Sequence, residues 1–406
     1  MKYSLKIIVV LLFILFSAFV LNNSKFKKAK KLHFELLTID THTDSPLNLL
    51  SEGFDIAEEH DANEAKIDIP KMEKGGLDAA FFAVFTSQLP RTEENTEKTY
   101  RLAHQIIDSV YSISERYNHK LELAFHNSDA LRIEKTGKRA IYLGMENGFP
   151  IGNVLGRVEE FYKRGVRYIT LSHSSNNDIC DSSTDKGGSE HNGLSNFGYE
   201  VVAEMNRLGM MIDVSHISDS AFFDVINTSK TPVFASHSSV RSLCNHPRNM
   251  SDTMIKALAA NGGVIQICIL GAYISPEDSN SVNYIKHVEL REKYNNYEFK
   301  DEAERKQAWS EWEAIERDYP PILPTVAQAV DHIDYVVKLV GIDYVGIGTD
   351  FDGGGGLADC KDASELPNIT YELLKRGYTP EEIQKIWSGN FIRVFKQVES
   401  FPLQNN

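Results

Sequence analysis

Residues 210–216 read Met-Met-Ile-Asp-Val-Ser-His, an apolar run that ends in polar residues and a histidine. The run from Met210 to Val214 has the length of a buried strand, and amphipathic helical patterns flank it at Phe197–Leu208 and Asp219–Ser229. Strands that alternate with helices pair in parallel through crossover helices. This stretch therefore predicts one repeating unit of a parallel α/β fold.

Other apolar runs continue the alternation along the chain. The candidate strands are Leu36–Asp40, Ala79–Phe85, Ala140–Glu146, Val166–Leu171, Met210–Val214, Val233–Ser236, Val264–Ile267 and Tyr344–Thr349. Strands in this rhythm favour a closed α/β barrel of the (β/α)8, TIM-like type. An open doubly wound sheet is the alternative. No Gly-x-Gly-x-x-Gly follows an early strand, which weakens a dinucleotide-binding version of that alternative.

Two segments depart from the alternation. Residues 275–321 are charged and mostly helical in pattern, and they predict a helical insertion before the last strand of a single barrel domain, residues 32–406. Residues 176–196 form a polar loop after the fourth strand. Because a barrel builds its active site from the loops at the carboxyl ends of its strands, we expect this loop at the mouth of a site.

The N-terminus has the pattern of an export signal. Lys2 and Lys6 precede an apolar run from Ile7 to Leu21, and a lysine-rich stretch that ends at Lys31 follows. The run is shorter than the ~20 residues of a comfortable membrane span, but no A-x-A cleavage site stands out after it. Residues 1–31 are therefore predicted to be a signal peptide or an N-terminal membrane anchor. The folded domain is expected to be exported, either periplasmic or anchored to the membrane.

Charge and cysteine content narrow the classes of partner and cofactor. The formal net charge of −14 argues against a nucleic-acid partner, since phosphate recognition needs clustered lysine and arginine. The cysteines form no Cys-x-x-Cys pair, so neither a zinc ribbon nor a thioredoxin-type redox site is supported. Cys180 and Cys360 lie in polar loops, and in an exported protein they are the candidate disulfide pair.

Residue types that bind metals recur where a predicted strand meets its loop. They are His42, Asp44, Glu146, His216, His237 and Asp350. Each alone is more often a core, capping or loop residue than a ligand. In a barrel, however, the strand ends converge on one mouth, and imidazoles with carboxylates are the ligand set of catalytic zinc. Their coincidence predicts a single metal site.

Longer segments around these positions carry a family resemblance. They are IDTHTDSPLNLL, YLGMENG, VRYITLSHSSNN, MIDVSHIS, PVFASHSSVRSLCNHPRNM and DYVGIGTDFDG. From about Thr38 to about Phe395 the chain resembles the membrane dipeptidases, a family of zinc metallopeptidases that includes renal dipeptidase and bacterial relatives. Asn147, directly after Glu146, stands where relatives often have glycine.

The resemblance implies a role for each residue of the site. It implies two Zn²⁺ ions per chain, with His42 and Asp44 on one, His216 and His237 on the other, and Glu146 between them. It also implies that His173 polarises the substrate, that Arg248 binds the carboxylate of a dipeptide, and that Asp350 acts as the acid and base.

The function implied is hydrolysis of the peptide bond of dipeptides, including those with a C-terminal D-residue. An alternative keeps the barrel and metals but changes the substrate to a β-lactam, a lactone or an N-acyl-amino acid. A non-catalytic envelope scaffold is a third hypothesis, and the complete set of ligand positions argues against it. The resemblance also leads us to expect a homodimer, and the N-terminal segment leads us to expect membrane anchoring.

Overall fold

The computed structural model describes residues 24–294 and 302–405, and one parallel sheet forms the centre of this part of the chain. The strands are β1 (Ile39–Thr43), β2 (Ala79–Phe85), β3 (Leu121–Leu123), β4 (Arg139–Glu146), β5 (Val166–Thr170), β6 (Met211–Asp213), β7 (Phe234–Ser238), β8 (Val264–Ile267) and β9 (Val345–Ile347). Eight of them are hydrogen-bonded in the order β1-β2-β4-β5-β6-β7-β8-β9. The short strand β3 lies outside this order and pairs in parallel with the first residues of β4.

The last strand meets the first and nearly closes the sheet into a barrel. The backbone N–H of Asp350 donates to the carbonyl of His42 at 3.0 Å, and the N–H of Asp44 donates to the carbonyl of Phe351 at 2.8 Å. Thr43 and Phe351 form a parallel bridge at the same place. The eight-stranded parallel arrangement with alternating helices confirms the predicted (β/α)8 fold and excludes the open sheet.

Helices connect the strands and form the outer layer. They are α1 (residues 24–33), α2 (Ile69–Gly75), α3 (Glu93–Arg116), α4 (Asp129–Glu134), α5 (Gly156–Lys163), α6 (Asn196–Leu208), α7 (Asp219–Thr228), α8 (Asp252–Ala260), α9 (Gly271–Ile274), α10 (Val282–Lys293), α11 (Glu302–Asp318), α12 (Val326–Val340), α13 (Pro367–Lys375), α14 (Pro380–Gln384) and α15 (Asn390–Asn405). Several of these helices have a serine as the N-cap residue. The side chains of Ser195, Ser218 and Ser251 accept hydrogen bonds from backbone N–H groups in the first turns of α6, α7 and α8.

The strand boundaries differ from the prediction mainly at the first strand. The apolar run predicted Leu36–Asp40, whereas β1 is Ile39–Thr43. Residues 34–36 instead continue from the end of α1 in a turn. The polar residues Thr41, His42 and Thr43 belong to the strand because all three are buried at the barrel seam. The three-residue strand β3 was not predicted, since its length falls below that of a readable apolar run.

The interior of the barrel is closed at the end opposite the strand carboxyl termini. Phe391 and Phe395 from α15 pack against the inward-facing Phe81, with Phe391 and Phe81 ring centroids 5.2 Å apart. Phe391 also meets Phe234 at 5.6 Å. A larger apolar layer fills the space between the strands and the outer helices. Because aromatic packing fills this end of the barrel, a cavity inside the barrel has to form at the carboxyl ends of the strands.

The segment predicted as a helical insertion contains α10 and α11. Lys293 Nζ lies 2.6 Å from Glu311 Oε2, and Tyr294 donates to Glu311 at 2.9 Å. Leu290, Tyr294 and Ala308 form a small apolar cluster of their own between the two helices. Most of the charged residues of this segment therefore lie on two helices that pair with each other through ion pairs and hydrogen bonds. Residues 295–301 lie outside the described residues.

Most of the predicted leader, residues 1–23, lies outside the described residues. The rest of it is helical and packs on the barrel: Ala29 is buried, and the Phe26 ring meets Tyr371 at 5.6 Å. Within the described ranges, the helices all fall short of the length and apolar content needed to cross a bilayer.

The predicted pairing of Cys180 with Cys360 is wrong. Both thiols are free and fully buried, as part of the main apolar core, and Cys244 and Cys268 are also free. Burial raises the pKa of Cys180 to about 12 and that of Cys360 well above its usual range. The polar sequence around both cysteines predicted exposed loops, although several of these polar neighbours, such as Asp181, are themselves buried.

His33 fastens α1 to the barrel as a neutral ring. Nε2 lies 2.8 Å from the carbonyl of Gly75, and Nδ1 lies 2.7 Å from the hydroxyl of Thr370. Trp387 Nε1 donates to the same hydroxyl at 2.8 Å, so the threonine proton points at Nδ1. Burial lowers the pKa of His33 to about 4. The folded protein therefore favours the uncharged form of the His33 ring.

Mild acid should weaken this attachment. The unfolded chain protonates His33 below about pH 6.5 and the folded chain only near about pH 4, so the free energy of unfolding falls as the pH drops between these values. We expect the parent to lose about 2 kcal/mol more than His33→Gln between about pH 7 and about pH 5. Denaturant titrations at both pH values measure this difference, and equal losses in the two proteins would contradict the assignment.

Candidate active site

The predicted ligand residues converge at the carboxyl ends of the strands. His42 lies in β1, Asp44 is the first residue after β1, and Glu146 is the last residue of β4. The others follow the same rule: His216 comes three residues after β6, His237 lies in β7 and Asp350 comes three residues after β9. All six are buried. The structure therefore brings together every residue that the strand-end pattern predicted.

One group of possible ligand atoms surrounds the second carboxylate oxygen of Glu146. His42 Nε2 lies 3.5 Å from Glu146 Oε2 and 3.8 Å from Asp44 Oδ1. These three atoms are buried, and none has a hydrogen-bond partner among the described residues. Buried polar atoms are costly when they are unsatisfied, so this group fits a cation.

A second group surrounds the other oxygen of the same carboxylate. His216 Nε2 lies 3.0 Å and His237 Nε2 lies 3.3 Å from Glu146 Oε1. The two ring nitrogens are 2.9 Å apart. A third combination joins Asp350 to His42 and His237. Glu146 thus stands between two sets of donor atoms, each of the type that zinc accepts.

The electrostatics of the protein alone favour neutral forms in this pocket. Burial raises the pKa of Glu146 to about 8 and that of Asp350 to about 7, and it raises the pKa of Asp44 well above its usual range. Burial also lowers the pKa values of His216 and His237 well below their usual range. Neutral imidazoles can act as ligands, and bound cations would reverse the cost of ionising the carboxylates.

His173 and Arg248, which the resemblance placed in the site, line the same cavity. His173 Nε2 lies 3.7 Å from Glu146 Oε1, and its ring stacks on His216 at 4.2 Å. Arg248 donates to the carbonyl of His237 at 3.1 Å and stands over the ring of Tyr273 at 5.2 Å. The cavity has a volume of about 580 Å³. The predicted mouth loop contributes its Thr184–Lys186 stretch, which confirms that expectation.

Strained backbone aims several of these side chains. His216 has φ 70° and Asp350 has φ 61°, both in the left-handed region that most residues avoid. Asn147 has φ 74°, a conformation that glycine adopts most easily and that asparagine tolerates better than most residues. Its side chain donates to the carbonyl of Thr86 at 3.0 Å and accepts from the N–H of Phe149 at 3.1 Å, so its own hydrogen bonds stabilise this turn.

Tyr273 was not predicted as part of the cavity, and neither was the close packing that requires a glycine at position 353. Tyr273 lies in the four-residue helix α9, and burial raises the pKa of its hydroxyl to about 12. Gly353 is required by close approach, since a Cβ there would come 2.2 Å from Asp44 Oδ2 and 2.3 Å from Asp350 Oδ1. Both follow a strand end within a few residues. That position was the available signal, although neither is a residue type that binds metals.

Comparison with known proteins agrees with this geometry. The family described as membrane dipeptidase (Peptidase family M19) matches residues 26–406. The dipeptidase verJ of Clonostachys rogersoniana is 31% identical over 96% of this chain and 91% of its own length. The dipeptidase tcpJ of Claviceps purpurea is 31% identical over 82% of this chain and 69% of its own length.

Solved structures share the fold. The probable dipeptidase PvdM from Pseudomonas aeruginosa superposes with a TM-score of 0.84 at 29% identity, over 93% of this chain and 99% of that one. A Rhodobacter sphaeroides metallopeptidase, liganded with a phosphinate mimic of L-Ala-D-Ala, shares the fold with a TM-score of 0.72 at 19% identity, over 89% of this chain and 99% of that one. From its fold, its clustered site and these relatives, the chain belongs to the membrane dipeptidase family.

Proposed function

We propose that the protein cleaves dipeptides with two zinc ions that share Glu146. As a family member the chain is a metallo-dipeptidase, and the proposal adds the metal, its number and the role of each side chain. The observation that carries it is the position of Glu146. Its two carboxylate oxygens face separate groups of donor atoms, with His42 on one side and His216 and His237 on the other.

The donor set supports zinc as the metal. His42 and Asp44 would hold one ion, His216 and His237 the other, and Glu146 both. Imidazole nitrogen and carboxylate oxygen suit zinc, and the ligands lie on strand ends that fix their positions. When bound, two such ions polarise a carbonyl and lower the pKa of a shared water.

Arg248 is built to hold a carboxylate. It is 4% exposed, and its Nε atom has no hydrogen-bond partner among the described residues. The bond to the carbonyl of His237 and the contact with the Tyr273 ring fix the plane of the guanidinium. A planar fork with spare donors suits bidentate capture of the free C-terminus of a dipeptide. A longer peptide would place an amide there, which gives the preference for dipeptides.

His173 supplies a neutral hydrogen-bond donor. Burial lowers its pKa to about 3, so the ring carries no charge near neutral pH. Ser174 Oγ lies 2.8 Å from Nδ1 and can donate to it, which leaves the proton on Nε2, the nitrogen nearer Glu146. That N–H faces the cavity and would donate to the oxygen of the scissile carbonyl as negative charge develops on it.

Asp350 is suited to transfer a proton. Its carboxylate lines the cavity beside His42 and His237, where a general acid and base has to stand. Burial raises its pKa to about 7 in the protein without metal, and bound cations would lower that value. The N–H of Asp350 is fixed by the carbonyl of His42, so its carboxylate stays beside the ligands. It would take a proton from the attacking water and deliver it to the leaving nitrogen.

We extend the proposal to the whole chain. Residues 32–406 would act as one barrel domain with residues 275–321 as its helical insertion. Residues 1–31 would direct export or anchor the domain to a membrane, and their basic and apolar order supports this. Because Ala29 and His33 pack on the barrel, any cleavage is expected before residue 24. The family resemblance supports a homodimer.

Metal content and activity should disappear together in Glu146→Gln. We expect the full chain to bind two zinc ions and to cleave L,L and L,D dipeptides. The variant removes the negative charge that both ions share, so we expect zinc loss and an activity at least ~10³-fold lower. Elemental analysis and a dipeptide assay measure the two effects, with Glu159→Gln, at a half-buried position in α5 outside the cavity, as the control.

Either half of this result can fail separately. Two bound zinc ions without dipeptide cleavage would shift the substrate to a β-lactam, a lactone or an N-acyl-amino acid, which the same assay panel should include. The absence of zinc binding even after zinc is added back would contradict the metal centre and favour the scaffold hypothesis.

Arg248→Gln should abolish the preference for a free C-terminus. Loss of one partner of a buried charge pair costs about 2–5 kcal/mol, so we expect the kcat/KM for dipeptides to fall at least ~30-fold. The corresponding dipeptide amides should be affected much less, because they lack the carboxylate. Arg248→Lys keeps the charge and loses the planar fork, so its kcat/KM for dipeptides should lie between those of the parent and of Arg248→Gln. An equal loss for dipeptides and their amides would contradict the assignment.

A further inference from the structure

The outward ring nitrogen of His42 is held by a tyrosine. Tyr168, in β5, is fully buried, and its hydroxyl lies 2.8 Å from His42 Nδ1 and 3.2 Å from the carbonyl of Thr41. A carbonyl can only accept, so the single hydroxyl proton goes to Thr41. The hydroxyl oxygen must then accept from Nδ1–H. His42 is thereby fixed with its Nε2 lone pair toward Asp44 and Glu146.

His237 is held by a different pair of residues. Its Nδ1 lies 2.7 Å from Ser236 Oγ, which in turn lies 2.6 Å from Asp213 Oδ2. Asp213 accepts further hydrogen bonds from the N–H groups of Ser215 and Ser236 and from the hydroxyl of Thr170. With the carboxylate as acceptor, the serine proton points at Asp213. Ser236 therefore accepts from His237 Nδ1–H.

The third histidine lacks such support. His216 Nδ1 is buried and has no hydrogen-bond partner among the described residues. Its ring is kept in place by stacking on His173 at 4.2 Å and by the left-handed backbone at φ 70°. The protein therefore supports one histidine of each ligand group through a hydrogen bond, and the two supports have no residue in common.

We propose that Tyr168 and the Ser236–Asp213 pair are positioning residues that fix the tautomers of His42 and His237, each for a different metal position. This inference rests on the proposed two-zinc function. Partners that fix the tautomer of a ligating imidazole typically change metal affinity 10–100-fold, roughly, when they are removed. Because the supports are separate, removal of one should weaken one zinc site and spare the other.

Tyr168→Phe and Ser236→Ala test this in the full chain. After the protein is stripped of metal, a zinc titration against a chromophoric chelator gives two binding constants. We expect Tyr168→Phe to weaken one of them roughly 10–100-fold and to leave the other within about threefold. Ser236→Ala should do the same to the other constant. The double variant should weaken both.

Matched controls separate this role from general structural damage. Tyr142 is as buried as Tyr168, but its hydroxyl bonds the backbone of Ala130 and His126, away from Glu146. Ser239 is buried one residue beyond β7 and donates to the carbonyl of Cys268. Tyr142→Phe and Ser239→Ala should lower the melting temperature by amounts similar to the test variants and leave both zinc constants unchanged.

A direct readout of the tautomers is available without zinc. In long-range ¹H–¹⁵N spectra of the metal-free parent, His42 and His237 should appear with the proton on Nδ1. Tyr168→Phe should change the His42 signals alone, and Ser236→Ala those of His237 alone.

The outcomes distinguish the two proposals. If the parent binds two zinc ions and neither variant changes a constant by more than threefold, the positioning role is overturned while the metal centre stands. If each variant weakens both constants as much as it lowers stability, the role is general packing, and the inference also fails. If the parent binds no zinc, the proposed function itself fails.

Discussion

The carboxylate of Glu146 is the point on which the site depends. It is 2% exposed, three imidazoles lie within 3.5 Å of its two oxygens, and burial raises its pKa to about 8. Burying an ionised carboxylate is expensive unless positive charge and hydrogen bonds compensate for it. Neutral imidazoles offer lone pairs rather than charge. Cations between the imidazoles and the carboxylate would supply the positive charge and would also bind the lone pairs. Bound cations therefore explain both the unsatisfied buried atoms and the raised pKa of the metal-free carboxylate.

The barrel supplies the rigidity that such a cluster needs. Asp40 and Asp213 each hold the ends of two neighbouring strands together. Asp40 accepts hydrogen bonds from the N–H groups of His42 and Thr349, and Asp213 accepts from those of Ser215 and Ser236. Each carboxylate therefore fixes the backbone beside a ligand histidine. Since the phenylalanines of α15 fill the opposite end of the barrel, the cavity and its polar residues are confined to the mouth.

Much of the site could be predicted because its residues follow readable strands. Apolar runs set the strands, a barrel makes their ends converge, and His42, Glu146 and His216 mark those ends. Tyr168 could not be found this way, because inside a strand a tyrosine is indistinguishable from core. The roles of His173 and Arg248 came only from the family resemblance, since both lie in loops whose paths depend on tertiary contacts.

The errors have the same origin. Cys180 and Cys360 were expected to pair because their neighbours are polar, yet both side chains face the core. The local sequence reports the composition of a loop but not the direction of each side chain. The measurement that tests the central claim most directly is an anomalous difference map, recorded at the zinc edge from crystals of the zinc-loaded protein. Two peaks, one beside His42 and Asp44 and the other beside His216 and His237, are the predicted result. A single peak, or none in contact with Glu146, would contradict the shared-carboxylate centre.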